Sequence, residues 1–154
     1  QTHATDFLSV GGMGHASQIA CSIASTLPER RVICLDGDGA LLMHTGGMVD
    51  CASQSNLLHI ILNNGAHDSV GGQPTAAFNI NLQKIADGFG YSNIVNATTN
   101  LEIKSALGSR LAGSTFLEIR CKRGNRKDLG RPDKVPKQNL NEFIQFLKGS
   151  KNHA

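Results

Sequence analysis

The 154-residue chain is 40% hydrophobic and 18% charged, enough to bury one core without disulfides or a structural metal. No apolar run approaches the roughly 20 residues that span a bilayer, and low-complexity tracts are absent, so a membrane span and wholesale disorder are both excluded. Net charge is +3, but eight basic residues against two acidic ones crowd segment 120–137, leaving −3 elsewhere. Such a segment serves as a solvated loop, a nucleic-acid patch or a site for an anionic substrate. Aromatics at 5%, with no Trp, disfavour a nucleic-acid role that depends on stacking. The amino-terminal residues show neither a basic start nor an apolar stretch, so no signal peptide is expected and the expected location is cytoplasmic. Cys21, Cys34, Cys51 and Cys121 lack CxxC spacing. They read as reduced thiols, with Cys34 and Cys121 in the core, and the spacing disfavours zinc.

In chain order, Ile19, Ala20, Ile23, Ala24 and Leu27 recur at helical spacing, and Pro28 stops the element. Val32-Ile33-Cys34-Leu35 reads as a buried strand ending at Gly37-Asp38-Gly39. A small-residue helix follows over 47–55. His59-Ile60-Ile61-Leu62 is a second strand, ending at Asn63-Asn64-Gly65. Asn81 starts a helix through Leu82, Ala86 and Phe89, which Gly88 and Gly90 terminate. Asn93-Ile94-Val95 is a weaker strand. Thr99 and Glu102 form a capping box for a helix over 101–111, and Thr115–Ile119 is a further strand. Asn139 with Glu142 predicts a second capping box, for a last helix over 143–148.

Strands alternating with helices predict an α/β domain, a three-layer sandwich with a mostly parallel sheet. In such sheets ligands bind beyond the carboxyl ends of the strands, which is where both the 37–39 and 63–65 loops fall. Asp38 offers a hard carboxylate oxygen and Asn64 a side-chain carbonyl oxygen, while the glycines admit a close approach to phosphate. An octahedral Mg²⁺ takes such donors and completes its shell with substrate phosphate and water.

Gly37-Asp38-Gly39, followed by Asn63-Asn64 with Asn64 26 residues after Asp38, resembles the fingerprint of thiamine-diphosphate enzymes. The resemblance implies Asp38, Asn64 and the Ala66 carbonyl as Mg²⁺ ligands, with Gly37, Gly39 and Ala40 against the diphosphate. Upstream, Gly11-Gly12-Met13-Gly14-His15-Ala16 lies where that family binds the aminopyrimidine. The Gly11 carbonyl would accept from the 4′-amino group, and Met13 would bend the cofactor unless it is simply a core methionine. Asn64-Gly65-Ala66-His67-Asp68-Ser69-Val70-Gly71-Gly72-Gln73-Pro74-Thr75 and Asp128-Leu129-Gly130-Arg131-Pro132 are similar to phosphonopyruvate decarboxylases. Sulfopyruvate decarboxylases share the Gly71–Thr75 part.

The resemblance implies a thiamine-diphosphate-binding fold, with 1–121 as its core and 122–154 as a basic loop and terminal helix of the same domain. The implied activity is decarboxylation of 3-phosphonopyruvate to phosphonoacetaldehyde. The alternatives are a sulfopyruvate decarboxylase subunit and a non-catalytic cofactor-binding module. Arg126 and Arg131 would grip the phosphonate bidentately or would be an arginine-rich surface loop. His67 would contact substrate or shuttle a proton, or would hold the loop. Family chemistry also needs a glutamate at the pyrimidine N1′, and none of Glu29, Glu102, Glu118 or Glu142 fits. A pyrimidine-binding domain or subunit is therefore the expected partner, in a homo- or hetero-oligomer, and the chain alone is expected to be silent.

Overall fold

The computed structural model describes residues 3–109, 111–130 and 132–149. They fall into two compact units. One is Met13–Gly124; the other joins the N-terminal residues up to Gly12 with the chain from Asn125 onward. The sequence reading places its division at 121.

The larger unit runs α1 (Ala16–Thr26), β1 (Val32–Gly37), α2 (Asp38–Met43), a 3-10 turn (Thr45–Gly47) and α3 (Met48–Ala52). It continues with β2 (Leu57–Asn63), β3 (Ala66–His67), β4 (Gln73–Pro74), α4 (Leu82–Gly88), β5 (Asn93–Ala97), α5 (Asn100–Gly108) and β6 (Thr115–Arg120). Four strands form a wholly parallel sheet in the order β1-β2-β6-β5, and β3 and β4 make a small antiparallel hairpin. The expected α/β architecture holds.

Both sheet faces carry helices, because each strand sends alternate residues to opposite sides. On one face Cys34, Leu57, Ile61 and Phe116 bury with Ala20 and Ala24 of α1, Leu41 of α2, Met48 of α3 and Leu82 of α4. On the other, Leu58, Ile60, Leu117 and Ile119 meet Ile103 and Ala106 of α5. Truncating the fully buried Phe116 to Ala costs about 3–5 kcal/mol. That second layer is partial: Ile33, Leu35 and Leu62 stay 51%, 64% and 42% exposed. The α1–β1 connection is tied down by the Asn56 side-chain amide, which donates to the carbonyls of Ala24, Leu27 and Arg30 at 3.0, 3.0 and 2.7 Å.

Several expected elements shift. The 47–55 helix is split into the 3-10 turn and the short α3. The helix expected over 101–111 ends at Gly108, and Cys121 lies just past β6, half-buried rather than in the core.

The second unit contains α6 (Pro136–Gly149). Its capping box at Asn139 is not formed: the helix starts three residues earlier, at Pro136, whose fixed φ suits a first helical position. Asn139 is spent on tertiary contact instead. It accepts from Leu8 N at 2.9 Å and donates to Asp6 O at 2.7 Å, while Phe7 and Phe143 rings lie 5.7 Å apart. No described helix is long and apolar enough to cross a membrane.

Candidate functional site

Parallel pairing places the carboxyl ends of β1 and β2 side by side, with Gly37 in register with Leu62. Asp38 opens α2 immediately beyond β1, and Asn64 follows the last residue of β2. The two loops meet: Asn64 N donates to Asp38 Oδ1 at 3.4 Å, and the Thr75 hydroxyl donates to Asp38 Oδ2. Asp38 is 1% exposed. A carboxylate so buried, with two neutral donors for about four lone-pair sites, is under-compensated and favours a cation.

The Asn64 loop is folded tightly around its own polar groups. Asn64 Oδ1 accepts from Ala66 N at 3.0 Å, and Asn64 Nδ2 donates to Asp68 Oδ2 at 2.8 Å. Gly65 has φ +64, and a Cβ there would strike the Phe78 ring. The β3–β4 hairpin then carries His67 back over α2. A Cβ on Gly39 would collide with the His67 imidazole, so glycine is what lets the ring lie against the start of the helix. His67 Nδ1 is buried there without a hydrogen-bond partner. Gly14, at φ +89, brings the segment after Met13 against α2: a Cβ would stand 2.9 Å from Ala40 O and 2.6 Å from His44. Met13 itself is half-buried.

Behind the loop lies a buried polar network that sequence reading missed. Asn63 accepts from Gly65 N at 3.2 Å and donates to Glu118 Oε1 at 2.7 Å. Glu118 Oε2 takes the Gln83 amide at 2.6 Å, and Arg120 Nε sits 2.9 Å from Oε1. Arg123 Nη2 donates to Gly65 O at 2.8 Å, and Gly124 N to Asp68 Oδ2 at 2.6 Å. The available signal was Glu118 itself, a charge at an inward position of the apolar run Phe116-Leu117-Glu118-Ile119.

The structure thus assembles Asp38, Gly39, Ala40, Asn64, Ala66 and His67 within the larger unit, with Gly37 at the helix start. Gly11 belongs to the smaller unit and has φ +75. Arg126 also lies in the smaller unit, exposed and 3.4 Å from Asp128, and Arg131 lies outside the described residues. The donor chemistry around Asp38, entirely oxygen, fits a hard divalent cation. The Gly39 backbone is covered by the His67 imidazole and the Thr75 methyl, so a ligand that reached it would take the place of those side chains.

A parallel α/β sheet with polar loops beyond two adjacent strand ends is the ligand-binding arrangement of the open-sheet class. The chain belongs to the family described as thiamine pyrophosphate enzyme, C-terminal TPP binding domain, which matches residues 1–119. It is 34% identical over 145 residues to the phosphonopyruvate decarboxylase of Streptomyces viridochromogenes, covering 92% of this chain and 36% of that protein. It is 35% identical over 146 residues to the sulfopyruvate decarboxylase subunit beta of Methanothermobacter thermautotrophicus, covering 94% of this chain and 76% of that subunit. The chain therefore spans little more than a third of the first relative's length. A Mycobacterium smegmatis protein described as thiamin diphosphate-dependent shares the fold, with TM-score 0.57 and 24% identity over 74% of this chain and 23% of that one.

Proposed function

We propose that this chain is the diphosphate- and Mg²⁺-binding half of a thiamine diphosphate-dependent 2-oxo acid decarboxylase acting on 3-phosphonopyruvate. The observation that carries the reading is the buried Asp38 carboxylate, hydrogen-bonded to the Asn64 loop, with the His67 ring packed on the adjacent Gly39 backbone. In this reading Asp38, the Asn64 side-chain oxygen and the Ala66 carbonyl hold Mg²⁺, and the Thr75 hydroxyl gives way to it. Gly37, Gly39 and Ala40 border the diphosphate, where first-turn N–H groups lack intrahelical partners. Gly11 and Met13 serve the pyrimidine side. Thiamine diphosphate, when bound, supplies the electron sink for the carbanion left by loss of CO₂.

The remaining residues position substrate and protons. His67, whose ring packs on Gly39 with Nδ1 buried and unpartnered, is assigned to contact the substrate or shuttle a proton. Arg126 and Arg131 pair with phosphonate oxygens. Among the described glutamates, Glu29 is exposed in the α1–β1 connection at the opposite end of β1 from Asp38, Glu118 is engaged by Asn63, Gln83 and Arg120, Glu102 by the backbone at Thr98 and Thr99, and Glu142 by Lys134. The carboxylic partner for the pyrimidine N1′ is therefore assigned to a further domain or subunit, within a homo- or hetero-oligomer.

A second reading replaces phosphonate by sulfonate. It is supported by the beta subunit of sulfopyruvate decarboxylase, most of whose length this chain matches. Both substrates present a tetrahedral anionic head, so the test is kinetic. The chain is co-expressed with its glutamate-bearing counterpart, and CO₂ release is measured from 3-phosphonopyruvate and from sulfopyruvate. A higher kcat/KM on 3-phosphonopyruvate is expected, and the reverse preference transfers the assignment to sulfonate. Independently, Asp38→Ala is expected to abolish Mg²⁺-dependent thiamine diphosphate binding in calorimetry. Unchanged affinity would remove Asp38 from the metal site.

A further inference from the structure

Away from the Asp38 loop, the buried face of β1 and β2 brings together three side chains that the cofactor reading does not use. Cys34 and Asp36 lie two residues apart on β1 and so point to the same face, and Cys34 is in register with His59 on β2. All three are buried. One ligand-type atom from each lies within 4.8 Å of the other two. His59 Nε2 and Asp36 Oδ2 are 3.6 Å apart, too far for a good hydrogen bond, and both are buried without any hydrogen-bond partner. On its other side His59 Nδ1 meets the Tyr91 hydroxyl at 2.9 Å, which fixes the ring with Nε2 toward the cluster.

We infer that Cys34, Asp36 and His59 form a buried site for a borderline-soft transition-metal dication, Zn²⁺ foremost, separate in chemistry from the all-oxygen site at Asp38. Two orphaned polar atoms facing one another are costly in an apolar interior, and a shared cation satisfies both. The separation suits it: zinc bonds of about 2.0–2.2 Å to N and O at a tetrahedral angle put those atoms about 3.4 Å apart. Charge also balances, because a thiolate, a carboxylate and a neutral imidazole together cancel a dication and leave no net buried charge. Tyr91 acts as the outer partner that orients a ligating imidazole. The motif is invisible to CxxC spacing because its third ligand arrives from the neighbouring strand. The thiolate and imidazole favour Zn²⁺ or Co²⁺ and give Mg²⁺ no advantage.

The test uses the full 154-residue chain, reduced and stripped of metal, titrated with Co²⁺ in excess Mg²⁺ without thiamine diphosphate. A thiolate-to-cobalt charge-transfer band is expected to saturate at one equivalent and to be displaced by Zn²⁺. Cys34→Ser is expected to lose the band and Cys121→Ser to keep it. X-ray absorption of the zinc-loaded wild type is expected to give one sulfur and otherwise N/O neighbours, a readout that needs no variant to fold. The inference is overturned by a folded wild type that binds no stoichiometric Co²⁺. It is equally overturned by a band retained in Cys34→Ser, a band abolished by Mg²⁺, or two sulfur neighbours, which would bring in a thiol the three-residue site does not contain.

Discussion

Asp38 and Gly39 divide two demands between neighbouring residues: one brings charge under the sheet edge, the other removes bulk where the chain must come close. At Gly39 the consequence is measurable. An added methyl displaces the His67 imidazole, a side chain that can rotate away, so the fold tolerates it better than the site does. Gly39→Ala is expected to weaken Mg²⁺-dependent thiamine diphosphate binding at least tenfold in calorimetry, with far-UV circular dichroism unchanged. Wild-type affinity would show that thiamine diphosphate does not need the Gly39 backbone. Arg126 poses the opposite case, a cation in an exposed pair with Asp128, which contributes little to stability. If Arg126 or Arg131 grips phosphonate, substitution by Met in the reconstituted enzyme raises KM for phosphonopyruvate about tenfold to a hundredfold. That corresponds to the roughly 1.5–3 kcal/mol of a charge-assisted hydrogen bond. KM for pyruvate should barely move, and equal losses on both would reduce these arginines to surface loop.

Two helices show what capping signals reveal and conceal. At α5, Thr99 accepts from Glu102 N at 3.3 Å while Glu102 returns to Thr99 N at 3.0 Å, the reciprocal pair expected from the sequence. Thr99→Ala should cost about 1 kcal/mol in chemical denaturation. The Glu102 carboxyl is held below its ordinary pKa of 4.5 by backbone N–H donors at Thr98 and Thr99. Its contribution is thus full above that value and fades as pH falls through the lowered one, so the deficit of a Glu102→Ala variant should shrink in acid. At α6 the same spacing misleads, because Asn139 is buried and bonds the N-terminal segment. Asn139→Ala leaves Leu8 N and Asp6 O unpaired and should cost about 1–3 kcal/mol, more than the genuine cap. The four sheet strands were legible because parallel strands are contiguous apolar runs. The β3–β4 hairpin, two residues per strand, was not, since nothing so short develops a period. Asp38 and Asn64 were legible as loops after strands. Glu118 and Arg123 were not, because their partners lie 55 and 58 residues away.

Across the whole molecule, buried acids set an alkaline limit. Burial pushes the Cys34 and Cys51 thiols from 9.0 up to about 12, and Tyr91 is likewise raised above its ordinary 10.0. These groups stay neutral in the fold but ionise in the unfolded chain from about pH 9. The unfolded state then binds fewer protons and stability falls as pH rises. The urea midpoint of the metal-free, reduced chain should therefore decline steadily between roughly pH 8.5 and 10.5. A flat profile would mean that water reaches these groups. The parallel register has a different bearing, on how such a domain tolerates change of length. What brings Asp38 to Asn64 is the alignment of Gly37 with Leu62, and the 26-residue count merely records the crossover that happens to join them. Extra residues at the turn Ser53–Gln54 would lengthen that crossover and leave the ligands where they are. One residue added inside β1 or β2 would rotate every side chain beyond it to the opposite face and dismantle the site. The sheet is the gauge and the connecting helices are slack.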